Sequence, residues 1–307
     1  MKARIKMERI HDMIIIGGGP AGYTAALYAA RAGLDVLVIE RMSAGGQMAV
    51  TDTIDNYSGF SEGIPGWELG MKMQAGAERF GAVTKYGEVV SAELEGNIKK
   101  VKTSSDEFGA RTVVIATGAN PRELGVDREE EFVSRGVHYC AHCDGRFYKN
   151  KVVAVVGGGN SALEDALYLS RLAAKVYLIH RRDSFRASKI YVDALSKSTN
   201  IEFLANSSVA ELIADERVTG IRLADGRELE INGLFVSIGR KPASDIFRGQ
   251  LKLDESGYIV ADESTRTSIA GVFAVGDGRT KPLRQVVTAV GDGAVAVHFA
   301  EEYLSGM

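Results

Sequence analysis

The apolar positions of the chain fall into one pattern that occurs twice. Residues 12–16 (DMIII) form a short apolar run cut off by GGGPAG at 17–22, and residues 20–33 follow with alanines at helical spacing up to Gly33. Residues 35–40 (DVLVIE) form a second run. A short apolar run without alternation predicts a strand buried on both faces, and strand, turn, helix and strand in this order predict a βαβ unit. The pattern returns as VVAVV at 152–156, GGGNSALEDALYLSRLA from 157, and KVYLIH at 175–180. Even the spacing returns, since Gly22 to Glu40 spans as many residues as Ala162 to His180. Such a repeat predicts an α/β chain with two Rossmann-like dinucleotide-binding domains.

Further apolar runs at 112–116 and 234–238 each precede a glycine- and proline-bearing stretch, TGANPRELG (117–125) and GRKPASD (239–245). Residues 83–115 and 201–236 carry short β-like runs with turn signals, predicting some antiparallel sheet in each domain. Residues 285–304 read as a helix. Because 246–307 has no dinucleotide turn of its own, it is expected to complete the first domain. The expected organisation is therefore a first domain of 1–117 and 246–307, a second of 123–240 inserted into it, and linkers at 118–122 and 241–245 that act as hinges.

Composition narrows the class. The chain has 307 residues, enough for about two domains and for cores that need no disulfide staple. Glycine supplies 35 of them, above the usual ~7%, so backbone must approach something closely at many positions. Only two cysteines are present, which excludes a secreted disulfide scaffold. The net charge of −3 provides no basic footprint for nucleic acid. No apolar run reaches the ~18 residues of a membrane span, and the basic N-terminus lacks the apolar core of a signal peptide. A cytoplasmic protein is expected.

Three motifs carry chemistry. Gly17, Gly19 and Gly22, with Pro20 and Ala21 between them, match G-x-G-x-x-G, and Glu40 ends the next strand. Glycines let backbone N–H groups and a helix N-terminus reach a pyrophosphate, while the acid accepts ribose hydroxyls. Gly157, Gly159, Asn160, Ser161 and Ala162 form the second turn, G-x-G-x-x-A. Its strand ends in His180, Arg181 and Arg182, followed by Arg186. Guanidinium groups bind a 2′-phosphate that an acid would repel, so this half is expected to take NADPH rather than NADH. Asn160 is also expected to cap the helix it opens. The two cysteines stand as Cys140-Ala141-His142-Cys143, with Asp144 next to them. C-x-x-C spacing allows a reversible disulfide and lowers a thiol pKa, and Asp144 could move protons during exchange. A metal reading rests on His138, Cys140, His142 and Cys143, but adjacent His142 and Cys143 side chains would struggle to reach one ion. No metal is expected.

In their joint order these motifs, with GGQM (45–48), DNYSGF (55–60), ATGA (116–119), HRRDSFRA (180–187) and GVFAVGDG…RQVVTA (271–289), resemble the low-molecular-weight, bacterial- or archaeal-type thioredoxin reductases over essentially the whole length. The resemblance implies a three-layer ββα architecture for each domain. It implies FAD on the first domain, with Gly17, Gly19, Gly22 and Glu40 at the adenosine diphosphate. Gln47, Asn56, Thr117, Gly118, Asp277, Arg284, Gln285 and Val286 would then be further FAD contacts. It implies NADPH on the second, a thioredoxin or thioredoxin-like protein as partner, a rotation between domains, and a homodimer. Cys143 would face the flavin, Cys140 would attack the partner's disulfide, and Asp144 would be the acid/base.

His142 departs from the small or apolar residue usual there. A cation between the sulfurs would make the pair more oxidising and turnover pH-sensitive; a solvent-facing spacer is the alternative. Partners of the glutaredoxin or peroxiredoxin type remain open, and a redox-sensing or metal-binding flavoprotein is the remote reading.

Overall fold

The computed structural model describes residues 9–51 and 53–306; the basic segment 1–8 lies outside the described residues. In chain order the elements are β1 (Ile10–Ile16), α1 (Pro20–Arg31), β2 (Val36–Glu40), α2 (Gly66–Glu78), β3 (Val83–Tyr86), β4 (Val89–Glu93), β5 (Lys99–Thr103), β6 (Glu107–Ile115) and β7 (Ala119–Pro121). Then come β8 (Val137–His138), α3 (Ala141–Asp144), β9 (Val152–Val156), α4 (Asn160–Ser170), β10 (Lys175–Ile179), α5 (Lys189–Leu195) and β11 (Ile201–Leu204). The rest are β12 (Val209–Ala214), β13 (Val218–Leu223), β14 (Glu228–Glu230), β15 (Gly233–Val236), β16 (Arg240–Pro242), β17 (Val272–Ala274) and α6 (Val286–Ser305).

The chain divides into two compact units, one of the described residues up to Asn120 and from Lys241 onward, the other Pro121–Arg240. In the first, β3, β2, β1, β6 and β17 lie side by side and all parallel. The N-terminal half of β6 instead pairs antiparallel with β5, and β5 with β4, so a meander branches from the sheet edge. The unbroken apolar runs of the sequence have their reason here. Met13, Ile15, Val36 and Val38 point to a core shared with the alanines of α1 and α6, while Ile14, Ile16, Leu37 and Ile39 point to Leu94, Val101 and Phe247 on the opposite face. A strand covered on both faces needs apolar side chains at odd and even positions alike.

The second unit repeats the plan. Its strands run β11, β10, β9, β15, β8, all parallel. Val153, Val155, Val176 and Leu178 pack on Ala162, Leu163 and Ala166 of α4. Ala154, Val156 and Ile179 pack on Leu212, Ile221 and Leu223 of the antiparallel β12–β13–β14 meander. Each unit is thus helix layer, parallel sheet and antiparallel meander. The repeat extends further than its glycine turns: β8 holds in the second sheet the edge position that β17 holds in the first. Among the described residues no helix is long and apolar enough to cross a membrane.

Candidate active site

In the first unit β1 hands the chain to α1 through residues 17–19. Gly22 lies against this turn: a Cβ on it would stand 1.9 Å from the Gly17 carbonyl oxygen, so only glycine lets helix and turn touch. Gly19 is the N-cap in extended backbone, Pro20 and Ala21 open the helix, and no side chain caps it. The first-turn N–H groups of α1 are left for an anion at the positive end of the helix dipole. Glu40, buried at the end of β2, accepts the Gly18 N–H through Oε2 at 2.6 Å and the Met42 N–H through Oε1 at 3.0 Å. It braces the turn, and each oxygen keeps a second lone pair for a hydroxyl.

Around this turn, Thr117 Oγ1 is buried with no hydrogen-bond partner, next to Gly118. Gln47 donates to Asn120 (3.1 Å) and Asn56 to the Gln285 side chain (3.0 Å). Gln285 caps α6 reciprocally with Thr288, so Val286 opens a helix whose end is already organised. Asp277 sits in the turn after β17, and Arg284 donates to its carbonyl at 3.3 Å with the guanidinium 4.1 Å from the Tyr258 ring centre.

A buried cluster under this turn escaped the sequence reading. Asp292 of α6 accepts from the Gly276 N–H (2.9 Å), Arg279 Nε (2.9 Å) and Nη2 (2.8 Å), and Lys281 Nζ (2.7 Å). Burial alone would push the Asp292 carboxyl up, but the hydrogen bonds from Arg279 and Lys281, and their charges, hold it below the usual carboxylate range. The signal was present in the sequence: an acid inside the apolar run VVTAVGDGAVAV, which a buried helix tolerates only with a partner.

The second turn is built alike. Gly159 is the N-cap of α4 in extended backbone, again without a capping side chain. The expectation that Asn160 caps the helix is corrected: it occupies the first helical position and its Oδ1 accepts the Ser188 N–H at 2.7 Å. It thereby pins the basic loop, as does the Arg186 N–H on the Gly158 carbonyl at 2.8 Å. Ser161 and Ala162 continue the helix, Ala162 fully buried. His180 covers Gly158 so closely that a Cβ there would lie 2.3 Å from its Nε2. That nitrogen is buried and unpartnered. Burial first, then the charges of Arg182, Arg186 and Arg181, push the imidazole below its ordinary value, so it is neutral at pH 7. The three arginines are exposed at the strand end, with Asp183 the one acid between them. Both turns pair an uncapped helix end and a close backbone approach with an orphaned polar atom, Thr117 Oγ1 or His180 Nε2. They fit one dinucleotide each.

Cys140 lies two residues past the end of β8 and is the N-cap of α3, a single turn. A disulfide joins it to Cys143 with the Cα atoms 5.3 Å apart, and the Cys143 and Asp144 N–H groups both donate to the Cys140 carbonyl. The residues of the metal reading have separate partners. His138 lies on Asp144 (Nδ1–Oδ2, 3.0 Å) and Tyr148 (2.6 Å), and His142 lies exposed over Tyr168 with ring centres 4.2 Å apart. The redox pair occupies the position in this unit that the Asp277 turn occupies in the other, after the same edge strand.

Comparison with known proteins agrees with this geometry. The family of pyridine nucleotide-disulphide oxidoreductases matches residues 11–293. The chain is 47% identical to a thioredoxin reductase of Listeria monocytogenes, covering 97% of this chain and 95% of the relative, and 46% identical to one of Mycolicibacterium smegmatis, covering 97% and 98%. Among solved structures, thioredoxin reductase from Streptococcus pyogenes superposes with a TM-score of 0.91 at 43% identity over 97% of this chain and 99% of that one. A ferredoxin-flavin thioredoxin reductase from Clostridium acetobutylicum gives 0.53 at 31% identity over 97% and 99%. The chain belongs to the pyridine nucleotide-disulphide oxidoreductase family and, within it, to the low-molecular-weight thioredoxin reductases, FAD- and NADPH-dependent enzymes.

Proposed function

We propose that this chain reduces the disulfide of a thioredoxin or thioredoxin-like protein through Cys140 and Cys143. The observation that carries the reading is the Cys140–Cys143 disulfide, placed on one helical turn at the edge strand of the unit with the basic loop. When bound, FAD would supply the two-electron chemistry between NADPH and the disulfide. The chain's residues do the rest. The α1 turn, Glu40, Thr117, Gly118 and the Asp277 turn hold FAD, with Gln47, Asn56, Arg284, Gln285 and Val286 around it. The α4 turn holds the NADPH pyrophosphate, and Arg181, Arg182 and Arg186 take its 2′-phosphate. Reduction breaks the S–S bond with two electrons and leaves two sulfurs. Cys143 would stay as thiolate on the flavin side, and Cys140 takes a proton from Asp144 and returns it when, as thiolate, it attacks the partner's disulfide, whose leaving sulfur is then protonated. The mixed disulfide then resolves by attack of Cys143 on Cys140, releasing the partner as dithiol.

The chain crosses between units twice, at β7 and β16, and these crossings are the candidate hinges of the rotation that the resemblance implies. The first unit exposes Tyr28, Trp67, Met71, Phe80 and Val83, apolar surface suited to a second copy in a homodimer. A cytoplasmic location fits a dithiol that must be kept reduced. The protein is expected to act on neither nucleic acid nor membrane.

Turnover of Cys143→Ser and Cys140→Ser tests the reading. Both variants should retain FAD and accept hydride from NADPH, yet reduce no protein disulfide; disulfide reduction by either variant overturns it. Candidate thioredoxin-, glutaredoxin- and peroxiredoxin-type substrates assayed side by side identify the partner class.

A further inference from the structure

The second unit contains a buried hydrogen-bonded row of which the mechanism above uses only Asp144. His138 of β8 is 5% exposed, Tyr148 6%, and the Asp144 side chain 14%. His138 Nδ1 stands 3.0 Å from Asp144 Oδ2, and its Nε2 stands 2.6 Å from the Tyr148 hydroxyl. The ring is held on two sides, stacked on Phe235 of β15 at 5.2 Å and met edge-on by Tyr148 at 5.2 Å. Room for Tyr148 is made by Gly233, where a Cβ would lie 2.4 Å from the phenol ring. Backbone pairing of Phe235 with His138 fixes the strand that carries the imidazole.

We propose that His138 is a positioning residue for the redox pair: it holds the Asp144 carboxyl in the orientation from which a proton reaches the Cys140 sulfur, and Tyr148 holds His138 in the tautomer this requires. The proposal rests on the disulfide-reductase reading above.

Chemistry sets the direction of each bond. Oδ2 can accept from the ring both in the carboxylate and in the acid protonated on Oδ1, so Nδ1 carries the hydrogen toward Oδ2. Nε2 then has the lone pair, and the Tyr148 hydroxyl donates to it. Burial, and next the charge of Asp144, push Tyr148 up to about 12 against a smaller opposing effect of Arg217, so the phenol keeps its proton at neutral pH and has it to donate to Nε2. Groups facing His138 are therefore Asp144 from α3 and Tyr148 from the turn after it, with Arg217 acting on the phenol from the β12–β13 turn. With Oδ2 engaged, proton exchange falls to Oδ1. When the S–S bond takes up two electrons, the Asp144 carboxyl proton goes to the Cys140 sulfur. The carboxylate left behind is stabilised by the Nδ1–H bond. A proton from solvent restores the acid. A base or acid is effective only when oriented, and a buried partner with both ring nitrogens engaged supplies that orientation.

The test compares His138→Asn, His138→Gln and His138→Leu in the full FAD-loaded enzyme. Asparagine places an amide N–H near the Nδ1 position and should keep the donor to Asp144; glutamine and leucine should lose it. Positioning predicts kcat for protein-disulfide reduction to fall about tenfold in the Gln and Leu variants and clearly less in Asn, a modest share of the ~10²–10⁴-fold of a general acid. KM for the protein disulfide should not move, because a residue this buried cannot touch the partner. Flavin reduction by NADPH in stopped flow should stay at the wild-type rate; loss of that step would indict the reductase reading, not this one. Nitrogen-15 NMR of labelled histidine should find Nδ1 protonated and Nε2 accepting in wild type, with that signature lost in Tyr148→Phe. Equal losses in all three His138 variants that follow thermal stability, an unchanged kcat in the Leu variant, or the opposite tautomer overturns the proposal.

Discussion

At the scale of single residues, the strongest constraint is a charge placed where water cannot reach it. Asp292 joins the N–H of the Asp277 turn, Arg279 and Lys281, so one carboxylate ties α6 to the loop that follows β17. Removing it leaves two cations in a buried site. Asp292→Ala is expected to cost about 3–5 kcal/mol, measured by chemical denaturation at pH 7. The pH dependence has a definite sign. The folded-state value of Asp292 is lowered, so its contribution is fully present above the ~3.9 of an unfolded aspartate and is lost as pH falls through the folded value. Denaturation curves taken from pH 7 downward should show a loss of stability below about pH 4 that is smaller in Asp292→Ala. At Asn160 the partner differs from the one expected, and at Glu40 the structure adds partners that the motif does not name. Glu40 is braced by two backbone N–H groups, and Asn160 fastens the loop to the turn where a helix cap was expected. Sequence names the residue type, whereas the partner depends on which backbone group comes within 3 Å.

At the scale of elements, the two βαβ units were legible in detail because close packing on both faces leaves an unmistakable run of apolar residues. β1, β2, β9 and β10 lie within a residue or two of where their apolar runs begin and end. Less legible was the edge strand of the second sheet. β8 is two residues long, too short for any period, and is a strand only because β15 offers it hydrogen bonds. The same brevity hid His138, which looked like one candidate among four metal ligands and instead lies between Asp144 and Tyr148. The basic loop after β10 is an element-scale feature with an element-scale prediction. Arg181→Ala and Arg182→Ala should each raise KM for NADPH about 10–100-fold while leaving NADH within about twofold, because each removes charge-assisted bonds worth about 1.5–3 kcal/mol to a phosphate that NADH lacks. Steady-state kinetics with both nucleotides checks it, and equal effects would contradict a 2′-phosphate role for this loop.

At the scale of the whole molecule, two units with separate cores make a divided response to ligands. The clusters around α1, α6 and the first meander share no residue with those around α4 and the second. Calorimetry is expected to resolve two unfolding transitions, with NADP⁺ raising the one that belongs to the inserted unit. At a ligand concentration of 100 Kd the stabilisation should be about 2.7 kcal/mol for that unit. A single transition shifted as a whole by NADP⁺ would mean that the units unfold together.

The sequence by itself determined the βαβ repeat, the two dinucleotide turns, the redox pair and the family. Each of these is written in neighbouring residues, where steric and hydrogen-bonding demands act over a few positions along the chain. Only the tertiary structure decided that β8 and β17 are counterparts, that Asn160 pins a loop, that Asp292 gathers Arg279 and Lys281, and that His138 lies between Asp144 and Tyr148. These are matters of which side chains meet after the strands have ordered. No local pattern carries that information, because it is set by the packing of segments that stand far apart in the chain or too short to announce themselves.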